Sequence, residues 1–208
     1  MTAFIFDLDG VVANTEDAHY RSWQRLADAE GIAFDRAAND YLLGRTRIDS
    51  LAIFLRGRTL DAATTAAWLA RKQAWFLEDL TRMTPADALP GVRALLDEAR
   101  AAGIPLGLAS SSTNARAVIE RLELTAYFSV IADGSTVAHP KPAPDVFLWV
   151  AARLGAEPAA CTVFEDSQAG IDAARAAGCR VVGLGAVRLP RAHLWLPDLA
   201  DARVRNFR

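Results

Sequence analysis

From about residue 90 onwards, short apolar runs alternate with helical patterns. No other feature of the chain constrains its fold as strongly. Pro85 and Pro90-Gly91 punctuate the start of this region. A helix is expected over about Val92–Ala102, ended by Gly103, then a strand at Ile104–Ala109 and a helix at about Ala115–Leu122. Val130–Ala132 reads as a short strand, and Pro144 suits the first turn of a helix running to about Leu154. A strand at Cys161–Phe164, a helix at Gln168–Ala177 ended by Gly178, and a strand at Val181–Leu184 complete the series. Strands and helices alternating over short connections imply a parallel sheet covered on both faces, an α/β doubly wound core. Ligands of such sheets bind beyond the carboxyl ends of the strands.

The N-terminus adds one more strand, in Phe4-Ile5-Phe6-Asp7-Leu8-Asp9-Gly10-Val11-Val12. Asp7 and Asp9 stand two apart at its exit, on one face if the strand stays regular there. Two acids at the end of a buried strand cost Coulomb and desolvation energy unless a cation or a proton compensates. Alone, the pair also fits an acidic helix cap or a solvated loop end. Ser110 and Asp166 favour a site, because they too fall just after expected strands and one cleft can collect all of them.

Between Thr15 and Thr84 there is no strand signal. Tyr20, Trp23, Leu26 and Ala27 recur at helical spacing within Glu16–Glu30, which Gly31 ends. Further helical stretches cover roughly Arg36–Leu43, Ile48–Leu55 and Asp61–Arg82. This all-helical insert leaves from the loop after the first strand, so its ends near Asn14 and Pro85 must lie close together. That describes a cap over the cleft. The expected division is residues 1–14 and 86–208 for the α/β core and 15–85 for the cap.

At 208 residues the chain can bury one substantial core, or one core plus a smaller appended domain. The net charge of −2 suggests neither a nucleic-acid groove nor a membrane-binding surface. No uncharged apolar run approaches the length that spans a bilayer, and Asp7 interrupts the apolar N-terminus where a signal peptide would stay apolar. Cys161 and Cys179 read as small buried hydrophobes in a reducing compartment. A monomeric cytoplasmic protein is expected.

Four elements stand in order: Asp7-x-Asp9, Ser110, Lys141 within His139-Pro-Lys-Pro-Ala-Pro-Asp, and Glu165-Asp166. With the helical insert after the first of them, this set resembles the haloacid dehalogenase superfamily of phosphoryl-transfer enzymes, whose core is Rossmann-like. The resemblance runs from Phe4 to about Asp198. It implies that Asp7 is the nucleophile that forms an aspartyl-phosphate and that Asp9 is the general acid/base. It implies that Lys141 orients the nucleophile and offsets phosphate charge, and that Ser110, with Ser111, Ser112 and Asn114, holds the phosphoryl group. Asp7, the backbone carbonyl of Asp9, Glu165 and Asp166 would form an all-oxygen Mg²⁺ site. By themselves, the Ser110–Asn114 run and Glu165-Asp166-Ser167 also fit ordinary helix starts.

Within the insert, Asn14-Thr15-Glu16-Asp17-Ala18-His19 with Trp23 is similar to the hinge of the β-phosphoglucomutases, as is Asn39-Asp-Tyr-Leu-Leu-Gly44-Arg-Thr-Arg47-Ile-Asp-Ser50-Leu. This likeness implies that Thr15 and His19 position and restrain Asp9. It also implies that Gly44, Arg47 and Lys72 bind a small phosphorylated sugar, Arg47 taking its second phosphate. The implied reaction interconverts β-glucose 1-phosphate and glucose 6-phosphate through glucose 1,6-bisphosphate. Hydrolysis of a sugar phosphate or another small phosphomonoester is the alternative. There are two departures. Asn14 replaces an aspartate common before the hinge threonine, and Thr113 stands where a phosphate-binding lysine is often found. Read without the likeness, His19, Arg47 and Lys72 also fit packed or solvated helix positions. A non-catalytic sugar-phosphate binder would have lost a core motif, and none is lost.

Overall fold

The computed structural model describes residues 1–42 and 45–207. Gly44 therefore lies outside the described residues. The strands are β1 (Ala3–Phe6), β2 (Leu106–Ala109), β3 (Val130–Ala132), β4 (Cys161–Glu165), β5 (Arg180–Leu184) and β6 (Leu194–Leu196), all parallel, in the order β3-β2-β1-β4-β5-β6. The chain lays down β1 to β3 on one side and then crosses to β4 on the other side of β1. The order thus reverses beside the central strand, where such sheets open a crevice.

Strand periodicity explains the two cores. Phe4 and Phe6 point into one apolar cluster, while Ala3 and Ile5 point into another on the opposite face. Helices α5 (Val92–Ala101) and α6 (Ala115–Arg121) cover the first face, and α7 (Asp145–Arg153) and α8 (Gln168–Ala176) the second. Phe4, Phe6, Phe164 and Phe207 form an aromatic group around β1, with Phe6 and Phe164 stacked at 4.5 Å.

Three differences from the sequence-based expectations have local causes. The β2 ladder begins at Leu106, not Ile104, because Pro105 has no N–H to give. The helix expected over Arg36–Leu43 ends at Asp40, with Tyr41 and Leu42 in a turn. And β6 is an additional strand, three half-buried residues on a sheet edge. Trp195 of β6 lies over Gly183 of β5, where a Cβ would stand 2.2 Å from the indole, and its Nε1–H donates to the Gly185 carbonyl at 2.8 Å. A strand made by one tryptophan lying on a glycine has no alternation to read.

Residues 15–85 hold helices α1 (Glu16–Glu30), α2 (Arg36–Asp40), α3 (Arg47–Phe54) and α4 (Ala62–Leu80) around their own core of Trp23, Leu26, Leu42, Leu51, Phe54 and Leu55. Ion pairs Arg21–Asp79, Arg25–Glu78 and Arg71–Glu30 run between α1 and α4. Asp61 caps α4 by accepting from the Thr64 N–H at 2.8 Å. The two crossings into this region lie side by side, with Ala13 bridging to Ala88 and the Leu89 N–H donating to the Val12 carbonyl at 3.0 Å. Among the described residues no helix is long and apolar enough to cross a membrane.

Candidate active site

Register brings the acids together. Phe6 lies opposite Leu108 of β2 and Phe164 of β4, so the next residue, Asp7, emerges beside Ala109 and Glu165. The chain then folds back tightly, with the Leu8 carbonyl accepting from the N–H groups of Val12 and Ala13 at 2.8 and 3.0 Å. Gly10 makes this turn at φ 77°, where an added Cβ would stand 1.8 Å from Asp166 Oδ2.

Lys141 is the buried cation of the cluster. Its ammonium donates to Asp7 Oδ1 at 2.5 Å, Glu165 Oε1 at 2.7 Å and the Ala109 carbonyl at 3.1 Å, which engages all three of its protons. Glu165 Oε2 accepts from the Ser167 N–H and hydroxyl at 2.7 and 3.0 Å. Asp166 has no such partner among the described residues, and one oxygen each of Asp7, Glu165 and Asp166 lie within 4.8 Å of one another. Burial raises the pKa of Asp7 to about 8, with repulsion from Glu165 and Asp9 adding to it and Lys141 opposing. Burial also raises Asp9, and raises Asp166 well above the usual range together with the charges of Glu165 and Asp7. Burial works against the Lys141 charge, but attraction to Asp7 and Glu165 outweighs it and raises its pKa. One ammonium thus faces more carboxylates than it can neutralise. An all-oxygen cluster with surplus negative charge and an unpartnered carboxylate fits Mg²⁺.

That surplus gives a signed prediction. The raised acids must release protons for a metal to bind, so Mg²⁺ affinity rises with pH. The Mg²⁺-induced increase in Tm should be small at pH 6 and grow through pH 8, near the about 8 of Asp7. Taking the difference with and without metal cancels titrations remote from the cluster. A Tm increment flat across that range would count against a metal on these acids.

The acids open into a cavity of about 520 Å³ that is lined on its other side by the helical region. Ser110, Ser111, Ser112 and Asn114 line it from the loop after β2. Ser110 Oγ accepts from the Ser112 N–H at 3.0 Å, leaving its own proton to point elsewhere. The helix after this run starts only at Ala115.

From the other side, Thr15 stands at the N-cap of α1 but makes no capping bond; its hydroxyl donates to Asp9 Oδ1 instead. Lys72 is 2% exposed and so is no solvated helix charge. Its ammonium sits 2.9 Å from His19 Nδ1, over the rings of Trp23 and Phe76. Burial and the Arg47 charge lower Lys72 to about 7, with Asp9 opposing. Burial, Lys72 and Arg47 lower His19 well below its usual value. His19 is therefore neutral, and its Nδ1 accepts from Lys72. Arg47 Nη2 donates to Thr113 Oγ1 at 2.6 Å.

Some residues at the cleft are given no role by the sequence. Gln73 is hydrogen-bonded to Asn114 across the cleft; Asn39, which is buried, Glu16 and Asp133 line the cavity. In the sequence Thr113 stands out only as a departure, and the structure makes it the partner of Arg47. His139 pairs with Asp145 at 2.9 Å outside the cavity, and His193 contacts Arg175 and Val181.

Comparison with known proteins gives four findings. The haloacid dehalogenase-like hydrolase family model matches residues 1–178. The chain is 40% identical over 189 residues to a beta-phosphoglucomutase of Bacillus subtilis, covering 89% of this chain and 84% of that one. It is 34% identical over 180 residues to a fructose-1-phosphate phosphatase of Escherichia coli, covering 86% and 93%. A crystal structure of beta-phosphoglucomutase from Clostridium difficile matches with a TM-score of 0.95 at 33% identity, covering 99% of this chain and 95% of that one.

Proposed function

The chain belongs to the haloacid dehalogenase-like hydrolase family, and on that premise we propose that it is a Mg²⁺-dependent phosphosugar mutase. The proposed reaction interconverts β-glucose 1-phosphate and glucose 6-phosphate through an aspartyl-phosphate on Asp7 and a glucose 1,6-bisphosphate intermediate. We propose residues 15–85 as the cap and 1–14 with 86–208 as the core. One observation carries the reading: a single cavity has the Asp7–Lys141 pair at its floor and Arg47 with Lys72 in its roof. A bisphosphate that must turn round needs a cationic group at each end.

In the proposed cycle Asp7 attacks phosphorus, with Lys141 fixing the attacking carboxylate in place. Ser110 donates to a phosphoryl oxygen, and Ser111, Ser112 and Asn114 line the path of the substrate. Asp7, Glu165, Asp166 and the Asp9 carbonyl would hold Mg²⁺, which would supply positive charge to keep the acids ionised and to offset the transferring group. Asp9 gives a proton to the leaving oxygen and later takes one from the accepting hydroxyl. Its raised pKa suits that exchange, and the Thr15 hydroxyl holds its orientation. Neutral His19, buttressed by Lys72, lines the same cavity as Asp9 without adding charge of its own. Arg47 binds the far phosphate, exchanging its Thr113 hydroxyl for phosphate oxygens. Gly44 belongs to the same proposed subsite. The enzyme proposed is monomeric and cytoplasmic and takes a small phosphorylated sugar. A net charge of −2 agrees with a protein that has no nucleic-acid or membrane partner.

The test is a Mg²⁺-dependent assay with β-glucose 1-phosphate and a trace of the 1,6-bisphosphate, following glucose 6-phosphate and free phosphate together. Glucose 6-phosphate should appear much faster. Free phosphate in excess would mean that water reaches the aspartyl-phosphate, which would make the chain a phosphatase. The 34% identity to a fructose-1-phosphate phosphatase keeps that second reading in view. Arg47→Ala should lower mutase kcat/KM by about 10- to 100-fold, the worth of a charged hydrogen-bond pair. Small phosphate esters should still phosphorylate Asp7 in this variant. Unchanged mutase kinetics would remove Arg47 from the far phosphate.

A further inference from the structure

Two consecutive core residues each take a hydrogen bond from a different helix across the cleft. Arg47, at the start of α3, donates to Thr113 at 2.6 Å. Gln73, in α4, meets Asn114 through a reciprocal amide pair, with Gln73 Nε2 donating to Asn114 Oδ1 at 2.5 Å and Asn114 Nδ2 donating to Gln73 Oε1 at 3.3 Å. The second contact uses no group that the proposed chemistry assigns to phosphate on the helical side. Gln73 is uncharged, it neighbours Lys72 in sequence, and its amide satisfies both the donor and the acceptor of the opposing side chain. Asn114 stands at the N-cap of α6 yet makes no capping bond, so its side chain is committed to Gln73 and not to its own helix. It is also 9% exposed.

We propose that Gln73 and Asn114 form a clasp that holds residues 15–85 down on the core in the absence of substrate, and that Gln73 is a positioning residue for the closed state. This rests on the reading of that region as a mobile cap. The clasp forms with no phosphate bound, so the resting enzyme is already biased toward closure. Substrate then replaces the Arg47–Thr113 bond. Closure excludes water from Asp7, so a weaker clasp raises the share of turnovers ending in free phosphate. It does so without altering any group at the acids.

The experiment is a distance distribution by single-molecule energy transfer, with one dye on the helical region and one on the core, both outside the cleft. It is run on the full chain without ligand and then with glucose 6-phosphate and Mg²⁺. Gln73→Met keeps the volume and packing of the side chain and removes the amide. It should lower the ligand-free closed-to-open ratio about fivefold, the worth of an ordinary hydrogen bond. Asn114→Ala should do the same, and the double variant should add little to either single one, because both remove one interaction. The free-phosphate fraction should rise in Gln73→Met in step with the open population. A distribution that responds to ligand in the parent but is unchanged by Gln73→Met would overturn the clasp and leave the cap reading intact. A distribution that neither ligand nor substitution moves would overturn the cap reading, and the clasp with it.

Discussion

Asp7→Asn should abolish turnover and covalent phosphate incorporation together, by on the order of 10⁴-fold or more in kcat. The amide is nearly isosteric and can still approach Lys141, so the fold is kept while the attacking oxygen is lost. The measurement pairs initial rates with acid-quenched labelling from a radioactive phosphosugar. The paired loss matters more than its size. A variant that loses turnover but still takes up label would move the nucleophile to another residue, and normal turnover in a clean preparation would remove Asp7 from the chemistry.

Lys141→Met should be the most damaging single change to stability. Lys141 is 1% exposed in its side chain and pairs with Asp7 and Glu165 at 2.5 and 2.7 Å. Removing it leaves buried acids facing one another without a cation. Breaking a buried ion pair from one side costs about 3–5 kcal/mol. The sign of its pH dependence is fixed by the acids. Asp7 already has a folded pKa above its unfolded one, and loss of the cation raises it further. Stability contributed by proton uptake in the folded state is full below the unfolded value and is lost as pH rises through the folded one. The variant should therefore be much closer to the parent at pH 5 than at pH 8. Urea unfolding of metal-free protein at both pH values measures this, and a penalty independent of pH would mean that Lys141 acts by packing and not by charge. The same variant should lose turnover, since nothing then holds the Asp7 carboxylate.

Much of the fold is legible in the sequence because each element is a local pattern. Glu16–Glu30 can be read to its last residue, since its apolar stripe and Gly31, which adopts φ 62° at the C-cap, are both encoded within one stretch. The β1 run, with Asp7 following it, marks the central strand for the same reason. The acids and Ser110 can be grouped from chain order alone, because parallel sheets place the loop residues after successive strands at one edge. Lys141 joins them through its motif. The short edge strand β6 is not legible, because its evidence is a tryptophan packed on a glycine in a different strand.

The helical side of the cavity divides in the same way. Thr15, His19, Arg47 and Lys72 stand out by motif likeness, but spacing says nothing of their partners. That Lys72 is buried against His19, that Arg47 reaches Thr113, and that Gln73 clasps Asn114 across 41 positions are contacts between separate helices and loops. The sequence by itself determined the element types apart from β6, the inserted helical region and the acids at the strand ends. These depend on periodicity, turn residues and chain order, which are properties of neighbours along the chain. Only the tertiary structure decided which cation neutralises which acid, how far each pKa moves, and what holds the two sides of the cleft together. Those depend on burial and on distances of a few ångströms between residues far apart in the chain, and no local pattern records them.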